Sequence, residues 1–197
     1  MTPGSPLRLH YLDADQLVTD AQKLALAVLD AGYHPDLLLA LWRGGAAVGI
    51  ALHEALGYAG IACEHFPLRV SSYVGVDRRQ QVSVYGLDAL APFLQRCHRV
   101  LLVDDVFDTG NSMRVLIELL QRMTAPAPPQ IRMAMPWYKP ARNQTALVPD
   151  FYLHTTDDWL VFPHELQDLD AGQLLAKPGD TATLRALLAR RERPVKG

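Results

Sequence analysis

The segment Val100-Leu-Leu-Val-Asp-Asp-Val-Phe-Asp-Thr-Gly-Asn-Ser-Met113 constrains this chain more than any other. The unbroken apolar run Val100 to Val103 predicts a strand buried on both faces, as in the middle of a parallel sheet. It stops at the paired acids Asp104 and Asp105. Thr109-Gly-Asn-Ser112 then opens a helix over Met113 to Met123. Ligands of open α/β sheets bind beyond the carboxyl ends of strands, so the acids stand at the mouth of a site. The loop Asp108 to Met113 offers consecutive backbone N–H groups, the hydroxyls of Thr109 and Ser112, and a helix N-terminus. Together these make a cradle for a phosphate monoester, with Gly110 allowing close approach. Carboxylates repel phosphate, so Asp104 and Asp105 have other work: accepting hydrogen bonds from a diol, or helping to hold Mg²⁺ through water. A sugar phosphate lying across the turn meets both requirements. One aspartate after a strand is an ordinary helix cap; the whole string Asp-Asp-x-x-Asp-Thr-Gly-x-Ser is far more specific.

The rest of the chain alternates helices with short apolar strands, which predicts an α/β fold built on a parallel sheet. Asp13, with Gln16 three residues later, marks the start of a helix running to about Asp30. Leu37 to Leu41 and Ile61 to Phe66 are expected strands, with a helix over Ala46 to Leu56 between them. Pro67 to Gly86 turns polar and irregular (Arg69, Ser71, Ser72, Gly75, Asp77, Arg78, Arg79, Gln80, Gln81). That pattern is expected to be a long loop acting as a lid, or else a connector or β-hairpin arm. Further strands are expected over Ile131 to Met135 and Phe151 to His154, with a surface helix from Asp180 to Arg191. The 197 residues suit one domain that buries its own core. A net charge of −2 gives no basic field for nucleic acid or anionic lipid. Met1 to His10 lacks the apolar stretch of a secretory signal, and no run is long enough to span a bilayer. Cys63 and Cys97 lack metal or redox spacing. A cytoplasmic protein with no nucleic-acid or membrane partner is the expectation.

The acidic string resembles the phosphoribosyl-pyrophosphate-binding motif of type I phosphoribosyltransferases. The resemblance implies that Asp104 and Asp105 hold the ribose 2′- and 3′-hydroxyls. It places the 5′-phosphate on Asp108, Thr109, Gly110, Asn111, Ser112 and Met113, and makes Asp108 the proton acceptor near purine N7. Asp104 stands where purine enzymes often carry Glu.

Three other segments resemble the same family, in the same order. Leu41-Trp-Arg-Gly-Gly45, a strand-to-helix turn, is similar to the pyrophosphate loop, often Ser-Arg-Gly-Gly. Arg43, Gly44 and Gly45 would grip pyrophosphate, while Trp42 removes the serine hydroxyl. In the family this loop can carry a cis peptide between non-proline residues. Ser72-Tyr73 resembles the lid of 6-oxopurine enzymes. Trp137-Tyr-Lys-Pro140 and Thr156-Asp-Asp-Trp-Leu-Val-Phe-Pro-His-Glu165 resemble the base-recognition region of xanthine–guanine and hypoxanthine–guanine enzymes. There Lys139 would donate to the purine O6, Trp159 stack on the ring, and the Leu160 backbone read its edge. Glu165 matches an aspartate near the 2-position and the metal. The more ordinary reading of this region is a small aromatic core with Lys139 in solvent.

The resemblance implies the type I phosphoribosyltransferase fold with a small base-recognition hood, as one domain over 1–197. Its core would cover about 33–150, its hood about 151–170 plus N-terminal elements, and its C-terminal helix 180–193. The implied reaction transfers the phosphoribosyl group of phosphoribosyl pyrophosphate to guanine, hypoxanthine or xanthine and releases pyrophosphate, with Mg²⁺ as cofactor and a homodimer or homotetramer as the assembly. A regulatory relative that binds phosphoribosyl pyrophosphate or nucleotides without turnover is the alternative. Against it stand the absence of a helix-turn-helix segment and the idleness it would impose on Lys139 and Trp159. Adenine is disfavoured, since its amino group would leave the Lys139 donor unmatched. Neither a Walker A string nor Gly-x-Gly-x-x-Gly is present.

Overall fold

In the computed structural model the described residues are 8–74 and 80–191; the side chains of 71–82 lie outside that description. They form two compact units, residues 17–157 and residues 8–16 with 158–191.

The larger unit is built on a five-stranded sheet. β1 (Leu9–Tyr11) belongs to the smaller unit, and α1 (Ala14–Asp30) follows it. Asp13 starts α1 as expected, its Oδ1 accepting the Gln16 N–H at 2.6 Å. Leu17, Ala21, Leu24, Ala25 and Val28 make its buried stripe. Then come β2 (Leu37–Trp42), α2 (Gly44–Tyr58), β3 (Glu64–Val74), β4 (Gln80–Tyr85), α3 (Leu87–Leu94), β5 (Arg99–Val103), the short β6 (Val106–Phe107), α4 (Asn111–Met123) and β7 (Gln130–Ala134). The strand order is β4-β3-β2-β5-β7. β2 runs parallel to both β3 and β5, and β5 parallel to β7; β4 alone is antiparallel. The central strands are the unbroken apolar runs of the sequence, and Leu37, Leu39, Leu102 and Val100 bury into one core with Leu116 and Leu120 of α4. A second set of short parallel strands joins β6 to β8 (Trp137–Tyr138) and β9 (His154–Thr155). At its margin α1 is tied to β9, where Asp20, 2% exposed, holds His154 Nε2 at 2.8 Å.

Three expectations are corrected. Of the readings offered for Pro67 to Gly86 the β-hairpin arm holds and the irregular loop does not, since β3 and β4 pair in antiparallel. The strand expected over Ile61 to Phe66 starts at Glu64 and runs on to Val74. Leu68 and, with partial burial, Val70 and Val84 pack on the core from this hairpin. Gly75, Asp77, Arg78 and Arg79 lie outside the described residues. The expected strand from Phe151 to His154 is a single bridge, Phe151 to Ala134, followed by β9. Helix α3 has no counterpart in the sequence reading because Pro92 stands inside it. Leu90 and Leu94 nevertheless anchor it in the core.

In the smaller unit β1 pairs in parallel with β10 (Trp159–Val161). α5 (Ala171–Leu175) begins at a reciprocal cap between Asp170 and Gln173, and α6 (Thr181–Arg191) matches the expected surface helix. Val161, Leu169 and Leu174 form its core, with Leu9, Leu184 and Leu188 packed against them. Among the described residues no helix is long and apolar enough to cross a membrane. Cys63 and Cys97 are free thiols, and burial pushes Cys63 up to about 12, with Asp36 and Glu64 adding to the rise.

Leu102 is fully buried in the middle strand β5. Leu102→Ala is expected to destabilise the protein by about 2–5 kcal/mol in chemical denaturation, the usual loss for a core leucine. A loss below about 1 kcal/mol would contradict its placement.

Candidate active site

The register of β2 against β5 pairs Ala40 with Val103. β5 ends there while β2 runs two residues further, to Trp42, and the turn after β2 folds back against the acids after β5. The contact is unusually close. A methyl group at Gly44 would overlap the carboxylate of Asp105, and one at Gly45 would lie 2.5 Å from the Val103 carbonyl oxygen and 2.8 Å from Asp104 Cα. Only glycine fits at either position. The sequence reading gave these glycines to an anion; the structure adds that they let the loop seat against the acids. Arg43 is exposed at the start of α2, and the Trp42–Arg43 peptide is cis.

Asp104 and Asp105 stand at the carboxyl end of β5, partly buried. The Asp105 N–H donates to Asp104 Oδ1 at 3.0 Å. Burial, and next the neighbouring Asp105 carboxylate, push Asp104 well above the ordinary carboxylate range, while the N–H groups of Asp105 and Gly45 draw it back. The pair therefore favours holding less than its full negative charge until a cation or hydroxyl donors arrive.

Beyond the acids the chain makes the expected cradle. Gly110 has φ +77° and α4 starts at Asn111, whose N–H points to Thr109 Oγ1 at 3.4 Å. No acidic residue lies in the first turn of α4, so its amino end stays favourable to an anion. A cavity of about 190 Å³ is lined wholly by residues 104–113, from Asp104 to Met113. Larger grooves of about 580 Å³ and 390 Å³ lie along α2, the first against α1 and the second over β3, but their linings are mainly apolar and neither includes the acids or the cradle. Chemistry, not size, selects the smaller space.

The segment after β8 forms the cradle's far wall. The Lys139 N–H donates to the Phe107 carbonyl at 2.9 Å, and the Gln144 N–H to the Thr109 carbonyl at 3.0 Å. A methyl at Gly110 would meet Thr145 Oγ1 at 2.6 Å and Phe107 Cζ at 2.7 Å. Lys139 is 4% exposed, which overturns the reading that leaves it in solvent. Arg142 Nε lies 2.6 Å from Asp108 Oδ1 as an ion pair, though its approach is not aligned for a hydrogen bond and that buried oxygen has none. Arg142, Gln144 and Thr145 were not singled out from sequence; nothing in Ala-Arg-Asn-Gln-Thr145 distinguishes them from a polar turn.

The remaining candidates are placed as follows. Ser72 and Tyr73 sit in β3 opposite Val82 and Gln81, and their side chains lie outside the description. Trp159, Leu160 and Glu165 belong to the smaller unit. Trp159 is 43% exposed on β10, while Leu160 and Phe162 are buried. Glu165 turns back on its own chain, Oε2 accepting the Phe162 N–H at 3.1 Å. Lys177, 6% exposed, donates to the Phe162 carbonyl; burial lowers its pKa against the pull of Glu165. Nothing in the sequence distinguishes this lysine, since a lone Lys beyond the motif looks solvated.

Gly44→Ala should drive the Asp105 carboxylate aside and destabilise the protein by about 1–3 kcal/mol. In an Asp105→Ala background the same change should cost much less, because the obstructing group is gone. A double-mutant cycle by urea denaturation measures the coupling; additive losses would mean that the two do not touch.

Comparison with known proteins bears on this geometry. The family model of the phosphoribosyl transferase domain matches residues 9–170. No curated protein matches the chain. Among solved structures, a purine phosphoribosyltransferase from Pyrococcus horikoshii is 27% identical with TM-score 0.65, the match covering 82% of this chain and 97% of that one. A xanthine-guanine-hypoxanthine phosphoribosyltransferase from Helicobacter pylori is 20% identical with TM-score 0.60, over 78% of this chain and 92% of that one. A Neisseria gonorrhoeae protein solved with bound ppGpp is 17% identical with TM-score 0.71, over 96% of this chain and 100% of that one. The two below 25% identity share the fold. With the acid pair, glycine turn and cradle in place at the ends of the parallel strands, the chain belongs to the phosphoribosyltransferase family and has its type I fold.

Proposed function

We propose that this phosphoribosyltransferase transfers the 5-phosphoribosyl group from phosphoribosyl pyrophosphate to a 6-oxopurine, giving a nucleoside monophosphate and pyrophosphate in purine salvage. The observation that carries the proposal is the joining of Lys139 to the phosphate cradle: a buried lysine whose backbone N–H is fastened to the carbonyl of Phe107, the residue before Asp108. A base with an oxo group for the lysine and a ring nitrogen for the carboxylate fits that pairing. The likeness to the Pyrococcus purine enzyme points the same way.

In this reading the 5′-phosphate lies on Thr109 to Met113 and the ribose hydroxyls on Asp104 and Asp105. Arg43 and the Gly44–Gly45 backbone take the pyrophosphate. The anomeric carbon becomes oxocarbenium-like as pyrophosphate leaves and the purine nitrogen attacks, so the protein's part is to stabilise separating charge and exclude water. Asp108 accepts the proton displaced from the purine. Ser72 and Tyr73 cover the reacting centre, Trp159 stacks on the base, and the Leu160 backbone with Glu165 reads the 2-position.

The donor set suits Mg²⁺. Among the described residues no cluster of three His, Cys, Asp or Glu side chains is placed to hold a metal, whereas two adjacent carboxylates with room for water match an ion bound mainly by substrate oxygens. Asp104 and Asp105 would hold it through water, with Glu165 a further candidate; when bound, it neutralises the pyrophosphate leaving group. A cytoplasmic homodimer or homotetramer without nucleic-acid or membrane partners completes the proposal.

A second reading, a regulatory protein binding nucleotides at the same cradle without turnover, is favoured by one observation. The Neisseria protein with bound ppGpp is matched over nearly all of both chains.

Pyrophosphate release from phosphoribosyl pyrophosphate and Mg²⁺, assayed with guanine, hypoxanthine, xanthine, adenine, orotate and uracil, separates the readings. Release dependent on a 6-oxopurine is expected. Binding of phosphoribosyl pyrophosphate or ppGpp without release for any base would move the protein to the regulatory class. Asp108→Asn should lower kcat by about 10²–10⁴-fold, the usual value of a general base, with phosphoribosyl pyrophosphate affinity little changed. An unaltered kcat would remove Asp108 from the mechanism. Lys139→Ala should chiefly raise KM for the base; a selective loss of pyrophosphate binding would contradict its assignment.

A further inference from the structure

The segment 139–147 is laced to the segment 107–111 at successive points. Besides the backbone bonds from Lys139 to Phe107 and from Gln144 to Thr109, Asn111 Nδ2 donates to Gln144 Oε1 at 3.0 Å. The segment is also knotted on itself, with Asn143 Nδ2 donating to the Leu147 carbonyl at 2.7 Å and Asn143 Oδ1 accepting from the Thr145 N–H and hydroxyl, both at 2.9 Å. Arg142 therefore projects from a short 3₁₀ turn, Pro140–Arg142, whose position is fixed on both sides.

Its Nε meets one oxygen of Asp108, and that oxygen is buried with no hydrogen bond. The Asp108 side chain is still 33% exposed, and that exposure lies on its other atoms. The guanidinium thus sets the rotation of the carboxylate. One oxygen is turned inward to Arg142, and the rest of the side chain carries the exposure.

We propose that Arg142 is a positioning residue for the reaction: it holds the Asp108 carboxylate in its proton-accepting direction and links that direction to the segment that presents Lys139. The proposal rests on the transferase reading above, through the role given to Asp108. A base bound on Lys139 would then meet a carboxylate already aimed, because one segment carries both Lys139 and the residue that aims Asp108. Exposed ion pairs add little to stability, so a merely structural pair predicts almost no change when Arg142 is removed.

A double-mutant cycle on the full chain tests this, with kcat and both KM values measured using the preferred 6-oxopurine. Arg142→Ala is expected to lower kcat about tenfold or more, a part of what a general base contributes, with KM for phosphoribosyl pyrophosphate nearly unchanged. In an Asp108→Asn background the same substitution should have almost no further effect. Guanidinium at non-denaturing concentration should restore part of the rate to Arg142→Ala and none to the double variant. Equal factors in both backgrounds, rescue of both, or a loss confined to phosphoribosyl pyrophosphate KM would each overturn the proposal. If Arg142→Ala does not fold, Arg142→Gln carries the same cycle. Wild-type protein that turns over no base overturns the transferase reading and this proposal together; active wild type with an additive cycle overturns this proposal alone.

Discussion

The close seating of Gly44 and Gly45 against Asp104 and Asp105 is the constraint from which the rest of the site follows. Parallel pairing of β2 with β5 brings their carboxyl ends to one edge of the sheet, and the missing side chains of the glycines let the turns touch. A backbone rich in N–H groups is thereby laid beside two carboxylates. One surface favours anions and the other favours cations and hydroxyls, within the span of one small ligand. A molecule with phosphate at one end and a diol beside it satisfies both, and few other metabolites do.

The second constraint is the lacing between the cradle and the segment from Lys139 to Leu147. It turns a phosphate-binding loop, which many folds possess, into a site with a cation and a carboxylate at fixed positions. A buried lysine is costly unless its charge is matched, which sets Lys139 apart from an exposed lysine. Gly110 has its place for a similar reason as Gly44: Thr145 and Phe107 leave no room for a side chain, and φ +77° suits glycine alone.

Much of this was legible in the sequence, for physical reasons. Continuous apolar runs such as Val100 to Val103 have only one comfortable home, the middle of a parallel sheet, so β2 and β5 and the loops beyond them could be placed directly. The acid string could be read because paired acids at a strand end, followed by Asp-Thr-Gly-x-Ser and a helix, form a far more specific combination than any one turn residue. The hairpin of β3 and β4 was only one of the readings the sequence allowed, because the inward members of this edge ribbon, Leu68, Val70 and Val84, are sparse among polar residues. Arg142, Gln144 and Lys177 were missed because their roles are tertiary. Each acts on a backbone or carboxylate reached only after folding, and an Arg, Gln or Lys in a polar stretch carries no local signal of that. The folding back of Glu165 onto the Phe162 N–H was likewise invisible, since spacing alone cannot say which way a carboxylate turns.

The most direct test of the account is a crystal structure of the protein soaked with ribose 5-phosphate. The account predicts the phosphate on the N–H groups of Thr109 to Met113, with both ribose hydroxyls on the carboxylates of Asp104 and Asp105. Phosphate bound elsewhere, such as in the groove over β3, with the cradle left to water at saturating ligand, would contradict it.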